Sequence, residues 1–274
     1  MWFYKNGVKT YVCVDNYLPV TSRGTPIFAK SQGNELWPAI AEKCYAKYHK
    51  GYCIIEGGNT GPTMRELTGA PTYMFNFNRE HPPKDKDGLW EKIFEGEKKD
   101  YGMSAGTDGK DEGELDDNGI VPGHAYTLIA AKEITNKNGQ PEKLVKLRNP
   151  WKEGEWKGRY SDNSDEWTAS LRKELNHEAE DDGIFWMTYE DMITAYGCID
   201  ICKIDDANSF SYLKVSDTKG FNVIKFKYLK KSDGKHLTTF AVSQKDCRAE
   251  EADGNSNFDL NSYTRSVDVK FVKV

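Results

Sequence analysis

The sequence predicts an α+β fold: an antiparallel β-sheet with flanking helices, followed by a small all-β module. Three observations carry this expectation. Two alternating apolar stretches, 126–134 and 144–147, flank the segment Asn136-Lys137-Asn138-Gly139-Gln140. Asn-Gly between alternating runs marks a β-hairpin, and a hairpin's strands are antiparallel. Upstream, Trp37, Ile40, Ala41, Cys44, Tyr45 and Tyr48 recur at helical spacing and form an apolar stripe suited to a core. Beyond 205–208 the texture changes, with alternating runs at 221–229, 237–242 and 267–274 and a turn signal at Lys231-Ser232-Asp233-Gly234-Lys235. The expected organisation is one subdomain over 1–204 and a β-rich module over 209–274.

Taken in order, residues 8–30 read as strands broken at Ser22-Arg23-Gly24-Thr25-Pro26. A helix follows, capped near Asn34 and ended near Gly51. Pro38 is tolerated because first-turn amides have no helical acceptor. A second helix is expected over 89–99, with Trp90, Ile93 and Phe94 on one face. The stretch 104–119 is glycine-rich and acidic, and reads as a solvated loop placed to gate a cleft. With Gly119 at the sixth position of an EF-hand loop, Glu114, Asp116 and Asn118 fall on ligand positions. The twelfth is then Ala125, where a bidentate Glu is required, so this is no EF-hand. Thr188 and Asp191 have capping-box spacing, and Tyr189, Met192, Ile193 and Tyr196 supply apolar contacts for the helix they start.

The chemistry lies at the open end of the hairpin. Gly123-His124-Ala125-Tyr126 precedes its first strand, and Arg148-Asn149-Pro150-Trp151 closes its second. The midpoint of positions 124 and 149 is 136.5, near the turn, so His124 is expected opposite Asn149 on neighbouring strands. A thiol protease needs an imidazole to deprotonate a cysteine and later protonate the leaving amine. It also needs a group that fixes the far ring nitrogen, and asparagine does this without adding charge. Trp151, two residues on, is placed to shield that hydrogen bond from water.

These residues resemble the calpain family of cysteine endopeptidases. The likeness rests on GHAYTL and KLVKLRNPWKEGEWKGRYSD, and extends further. Tyr11-Val12-Cys13-Val14-Asp15-Asn16-Tyr17-Leu18-Pro19 is similar to the family's V-V-D-D-x-L-P strand. Residues 36–47, LWPAIAEKCYAK, are similar to its W-x-x-L-L-E-K-A-Y-A-K helix. Gly57-Gly58-Asn59-Thr60, Leu67-Thr68-Gly69 and Asp182-Gly183-Ile184-Phe185-Trp186-Met187 match G-G-x-T, F-T-G and D-G-E-F-W-M. The resemblance covers roughly residues 2–204 and implies the second subdomain of a papain-like, calpain-type core, with His124 and Asn149 catalytic and Trp151 in support. In the family a β-sandwich follows that core, which makes 209–274 a partial sandwich.

The family's nucleophile sits in a Q-x-x-x-x-x-C-W type segment. None of the six cysteines here (Cys13, Cys44, Cys53, Cys198, Cys202 and Cys247) precedes a tryptophan, so this chain supplies no nucleophile. Its implied partners are the Cys-bearing half of the core and a protein or peptide substrate. The resemblance also implies calcium, bound by Glu155 and Asp162 in the loop after RNPW and by Asp182 of the second loop, where Glu180 precedes by two residues. Ile184 stands where the family often has an oxygen-bearing side chain, and this departure weakens the site.

Composition narrows the classes. A net charge of −5 gives no basic footprint for nucleic acid, and no apolar run approaches a membrane span. Met1-Trp2-Phe3-Tyr4-Lys5 lacks the apolar core of a signal peptide. Scattered cysteines without CxxC spacing suggest neither zinc nor a disulfide framework and fit a reducing, intracellular and cytoplasmic setting. The sequence thus points to part of a calcium-dependent, calpain-like endopeptidase that is inactive as this chain alone. The alternative is a calpain-like binding or scaffold module without activity.

Overall fold

A short antiparallel hairpin opens the chain: β1 (Trp2–Lys5) pairs with β2 (Val8–Tyr11). This is a computed structural model, and it describes residues 1–205 other than 6, 32, 34, 79, 110–113 and 153. The expected module over 209–274, the Asn34 cap and Cys247 lie outside the described residues. Met1–Gly57 and Gly58–Asp205 fall in two separate compact units.

In the first unit the strands expected over 8–30 shrink to Val8–Tyr11 and one isolated bridge, Val20↔Pro26. Local polar bonds take over the intervening backbone: Thr21 accepts from Gly24 and Thr25 donates and accepts around it, with Gly24 in the left-handed region at φ 78°. Proline also withholds a ladder donor there. Helix α1 (Trp37–Tyr48) carries Pro38 in its first turn, as expected, and buries Cys44 and Tyr48 against Phe3 and Val12. It stops three residues short of Gly51. Lys50 makes the left-handed turn at φ 79°, and Gly51 leads into a 3₁₀ turn, Tyr52–Ile54.

The second unit holds α2 (Thr60–Thr68), β3 (Thr72–Asn76), α3 (Lys86–Lys98), β4 (Gly102–Gly106), β5 (Ala125–Thr135), β6 (Pro141–Arg148), α4 (Ala169–Glu174), β7 (Ile184–Thr188), α5 (Tyr189–Ala195) and β8 (Cys198–Cys202). Its strands form one antiparallel sheet in the order β3-β8-β4-β5-β6-β7. One face carries Ala105, Tyr126, Leu128, Leu147, Phe185 and Ile199. It is covered by Trp90 and Ile93 of α3 and by Met192 and Ile193 of α5. The other face, at the β5-β6-β7 end, packs Ile134, Leu144 and Trp186 against Tyr160, Trp167 and Leu171. Each such side chain removed from water contributes about 1.5–3 kcal/mol, so the two cores hold the hairpin from both sides.

Local signals explain most boundaries. Asp85 caps α3 by accepting from Gly88 N at 2.8 Å, which starts the helix before residue 89. Thr188 accepts from Asp191 N at 3.0 Å and donates to Asp191 Oδ2 at 2.7 Å, a reciprocal cap at the head of α5. β4 claims Ser104, Ala105 and Gly106 from the stretch expected to be loop; its small residues hide the alternation. Among the described residues no helix is long and apolar enough to cross a membrane.

Helix α2 has a tertiary start signal. Asp200 on β8, only 4% exposed, accepts from Thr60 Oγ1 at 2.6 Å and from Gly61 N at 2.7 Å. Ser104 of β4 donates to Thr60 at 2.7 Å. A buried carboxylate thus meets the positive end of the helix through charge-assisted bonds. Asp200→Ala is expected to lower unfolding stability by about 2–3 kcal/mol in urea titrations, because both donors are left unsatisfied. A loss under about 0.5 kcal/mol, the range of neutral surface changes, would show that α2 is held by other means.

Candidate active site

His124 and Asn149 stand just outside the ladder, before the first residue of β5 and after the last of β6. The last pair is Thr127↔Arg148, so an extended ladder sets Asn149 across from Tyr126 rather than His124. The expectation of directly opposed residues is off by two. The hairpin centres on residue 138, through Thr135↔Pro141, rather than on 136.5; the β-bulge between Leu128 and Ala130 recovers one residue of that offset, and Gly123, at φ 63°, turns the chain into the strand. The side chains still meet: His124 Nε2 lies 2.9 Å from Asn149 Oδ1. His124 is 5% exposed and Asn149 is fully buried.

Asn149 is fixed from several sides. Its Oδ1 also accepts from Trp151 N at 3.0 Å, which orients the amide with its oxygen toward the imidazole. Its backbone N donates to Gly183 O at 2.8 Å, and its carbonyl accepts from Lys152 N at 3.0 Å across a turn through Pro150 and Trp151. Proline presets that turn. Gly183 is at φ 81°, and a Cβ there would lie 2.7 Å from Lys152 Cα, so only glycine fits the approach. On the other side, Thr107 Oγ1 accepts from His124 N at 2.9 Å and donates to Val121 O at 2.7 Å, while Thr107 N donates to His124 O at 3.0 Å.

The carboxamide oxygen can only accept, so Nε2 is the protonated nitrogen of the neutral ring and Nδ1 carries the lone pair. Trp151 lies with its ring centroid 4.3 Å from that of His124 and is 48% exposed; Tyr126 meets the imidazole edge-on at 5.1 Å. Trp151 therefore packs against the imidazole at a tilt of 42° and remains about half exposed to solvent. Thr107, Tyr126 and Gly183 were not singled out as site residues from the sequence. Only the Asp-Gly pair before 184–188 carried a turn signal for any of them.

The described cysteines, Cys13, Cys44, Cys53, Cys198 and Cys202, are free thiols. Cys44 and Cys202 are buried, and burial, with the charges of Asp200 and Asp108, pushes the Cys198 thiol above its ordinary value. That is the reverse of an activated thiolate.

The three carboxylates expected to bind calcium lie in adjoining loops. Glu155 Oε1 accepts from Asp182 N at 3.0 Å and Gly183 N at 2.7 Å, and Asp182 Oδ1 accepts from Ile184 N at 2.9 Å. Asp162 is 8% exposed, and its buried Oδ1 has no hydrogen-bond partner. Burial, then the charges of Glu155 and Asp182, push its carboxyl up to about 6, and burial raises Glu155 as well. Such an orphaned oxygen among like charges suits a hard cation. As placed, however, no three acidic, histidine or cysteine side chains among the described residues enclose a point where an ion could sit. Asp182 is turned to the Ile184 amide, and Ile184 contributes no side-chain oxygen.

The model of the calpain family cysteine protease matches residues 1–203. Human calpain-14 is 35% identical over 206 residues, covering 74% of this chain and 29% of its own length. The calpain-type cysteine protease ADL1 of Oryza sativa subsp. japonica is 34% identical over 198 residues, 70% of this chain and 9% of its own length. The calpain-1 catalytic subunit of Rattus norvegicus is 36% identical over 200 residues, 70% and 27%. The antiparallel sheet with its helices is a calpain-type protease fold, and the chain belongs to the calpain family of cysteine proteases. It spans less than a third of the length of these relatives.

The His124–Asn149 bond sets the tautomer. In long-range 1H–15N spectra of the neutral ring, His124 is expected to carry its proton on Nε2. Asn149→Ala is expected to give a mixture of tautomers. A wild-type ring protonated mainly on Nδ1 would show that the bond does not govern the imidazole.

Proposed function

We propose that this chain supplies the His/Asn wall of a calpain-type cysteine endopeptidase site. The observation that carries this reading is the buried 2.9 Å bond from His124 Nε2 to Asn149 Oδ1, which leaves Nδ1 as the proton-exchanging nitrogen. Nδ1 takes the proton of a cysteine thiol borne on the other half of the core. The thiolate attacks the peptide carbonyl, and the imidazolium returns the proton to the amine as the C–N bond breaks. Water, deprotonated by the same nitrogen, then hydrolyses the thioester. Asn149 stabilises one ring orientation throughout, and Trp151 shields their bond. The substrate class is extended, flexible protein segments, and free thiols fit an intracellular, cytoplasmic setting.

Calcium belongs to the same reading. Glu155, Asp162 and Asp182 would hold it, and the ion would supply positive charge to three carboxylates that repel one another. The orphaned Asp162 oxygen supports this assignment, while the Ile184 departure argues for weak affinity. Titration calorimetry on the full chain is expected to show calcium binding that Asp162→Ala removes. A flat titration at millimolar calcium would leave the three carboxylates without a metal-binding role.

Activity tests the catalytic assignment directly. The 274-residue chain is expected neither to cleave an unfolded protein nor to take up an epoxide probe faster than an ordinary exposed cysteine. Combined with a Cys-bearing calpain half, it is expected to restore labelling at that half's cysteine and peptide cleavage. His124→Ala is then expected to reduce turnover by roughly 10²–10⁴-fold, and Asn149→Ala by less. A folded complex that neither labels nor cleaves would favour a scaffold role. Proteolysis by this chain alone that depends on His124 would assign the nucleophile to one of its own cysteines.

A further inference from the structure

The sheet has two edge strands, and their exposure differs. β7 is buried apart from its first residue, whereas β3 leaves Tyr73, Met74 and Asn76 exposed. Register fixes which backbone groups face outward. Lys203 N donates to Pro71 O and Phe77 N donates to Gly197 O, and the pairing between them is unbroken. Alternation then turns Tyr73 and Phe75 toward β8, while Thr72, Met74 and Asn76 point N–H and C=O to the open side. No hydrogen bond to these six groups is found among the described residues.

The two faces flanking this edge differ in chemistry. On one, Lys203 Nζ lies 4.7 Å and Lys92 Nζ 6.0 Å from the Tyr73 ring centroid. Glu95 bonds Lys99 at 2.7 Å and also feels the charges of Lys203 and Lys92, so three lysines share this one carboxylate. The other face presents Met74, 48% exposed. We infer that β3 is a docking edge for an extended peptide segment with alternating acidic and apolar side chains, which adds to the sheet as a seventh strand. Its backbone pairs with Thr72, Met74 and Asn76. Its acidic side chains reach Lys92 and Lys203, and its apolar ones cover Met74. Pairing β3 with β3 of a second copy offers these lysines no acidic partner, because Thr72–Asn76 contains no Asp or Glu. The edge lies on strands remote in sheet order from the β6-β7 pair that carries Asn149, and the inference is independent of the catalytic reading.

The test uses the full chain and a peptide of about ten residues alternating Glu and Val, a strand-length probe. Hydrogen exchange at the amides of Thr72, Met74 and Asn76 is expected to slow on binding. The same peptide methylated at every backbone nitrogen keeps its charges, loses its donors and is expected not to bind. Lys92→Glu with Lys203→Glu is expected to weaken binding roughly tenfold, the effect of reversing two exposed charges. Met74→Pro removes an outward donor without touching the β8 ladder and is expected to block binding as well. The inference is overturned if the methylated peptide binds equally well, if exchange at the three amides is unchanged, or if those amides are protected by self-association without peptide.

Discussion

Everything at the candidate site depends on holding one buried carboxamide still. Asn149 spends its side-chain oxygen on the imidazole and on the Trp151 amide, and both of its backbone groups on Gly183 and Lys152. An amide with that many fixed neighbours has little freedom to rotate, and a ring bonded to it inherits the restriction. The supports come from separate stretches of chain: the end of β6, the turn through Pro150, and the loop before β7. The hairpin supplies proximity, and the long-range bond to Gly183 supplies rigidity.

The Gly183 peptide has a further role. Its N–H donates to Glu155 while its carbonyl accepts from Asn149. One glycine therefore joins the acidic loop to the asparagine that orients His124. In the calcium reading, any change in Glu155 or Asp182 on metal binding acts directly on a group that contacts Asn149. The coupling needs no long path, only the two sides of one residue.

The sequence carried the hairpin, the capping box at Thr188 and the stripe of α1 because each is written in residues close together along the chain. His124 and Asn149 were legible for the same reason: a turn signal between them set their approach to within two residues. Helix α2 was not legible, since its start depends on Asp200, far along the chain, and β4 was hidden by Gly102, Ser104 and Gly106, whose small side chains show no alternation. Thr107 and Gly183 act through backbone geometry that no spacing rule encodes. The strands expected over 8–30 failed because threonine hydroxyls and prolines in that stretch satisfy or remove the backbone groups a sheet would use.

The bulge between Leu128 and Ala130 has a consequence of its own. On its His124 side, even-numbered residues of β5 face one core; beyond it, Ala131 faces that core and Ile134 the other. The strand is thus divided into two segments locked into different packings. A sliding error begun at the Asn136–Gln140 turn would have to drag Ile134 out of its own core before it could reach the bulge. The hairpin behaves as a ratchet with two teeth, so sequence drift at its tip is mechanically insulated from the imidazole at its mouth.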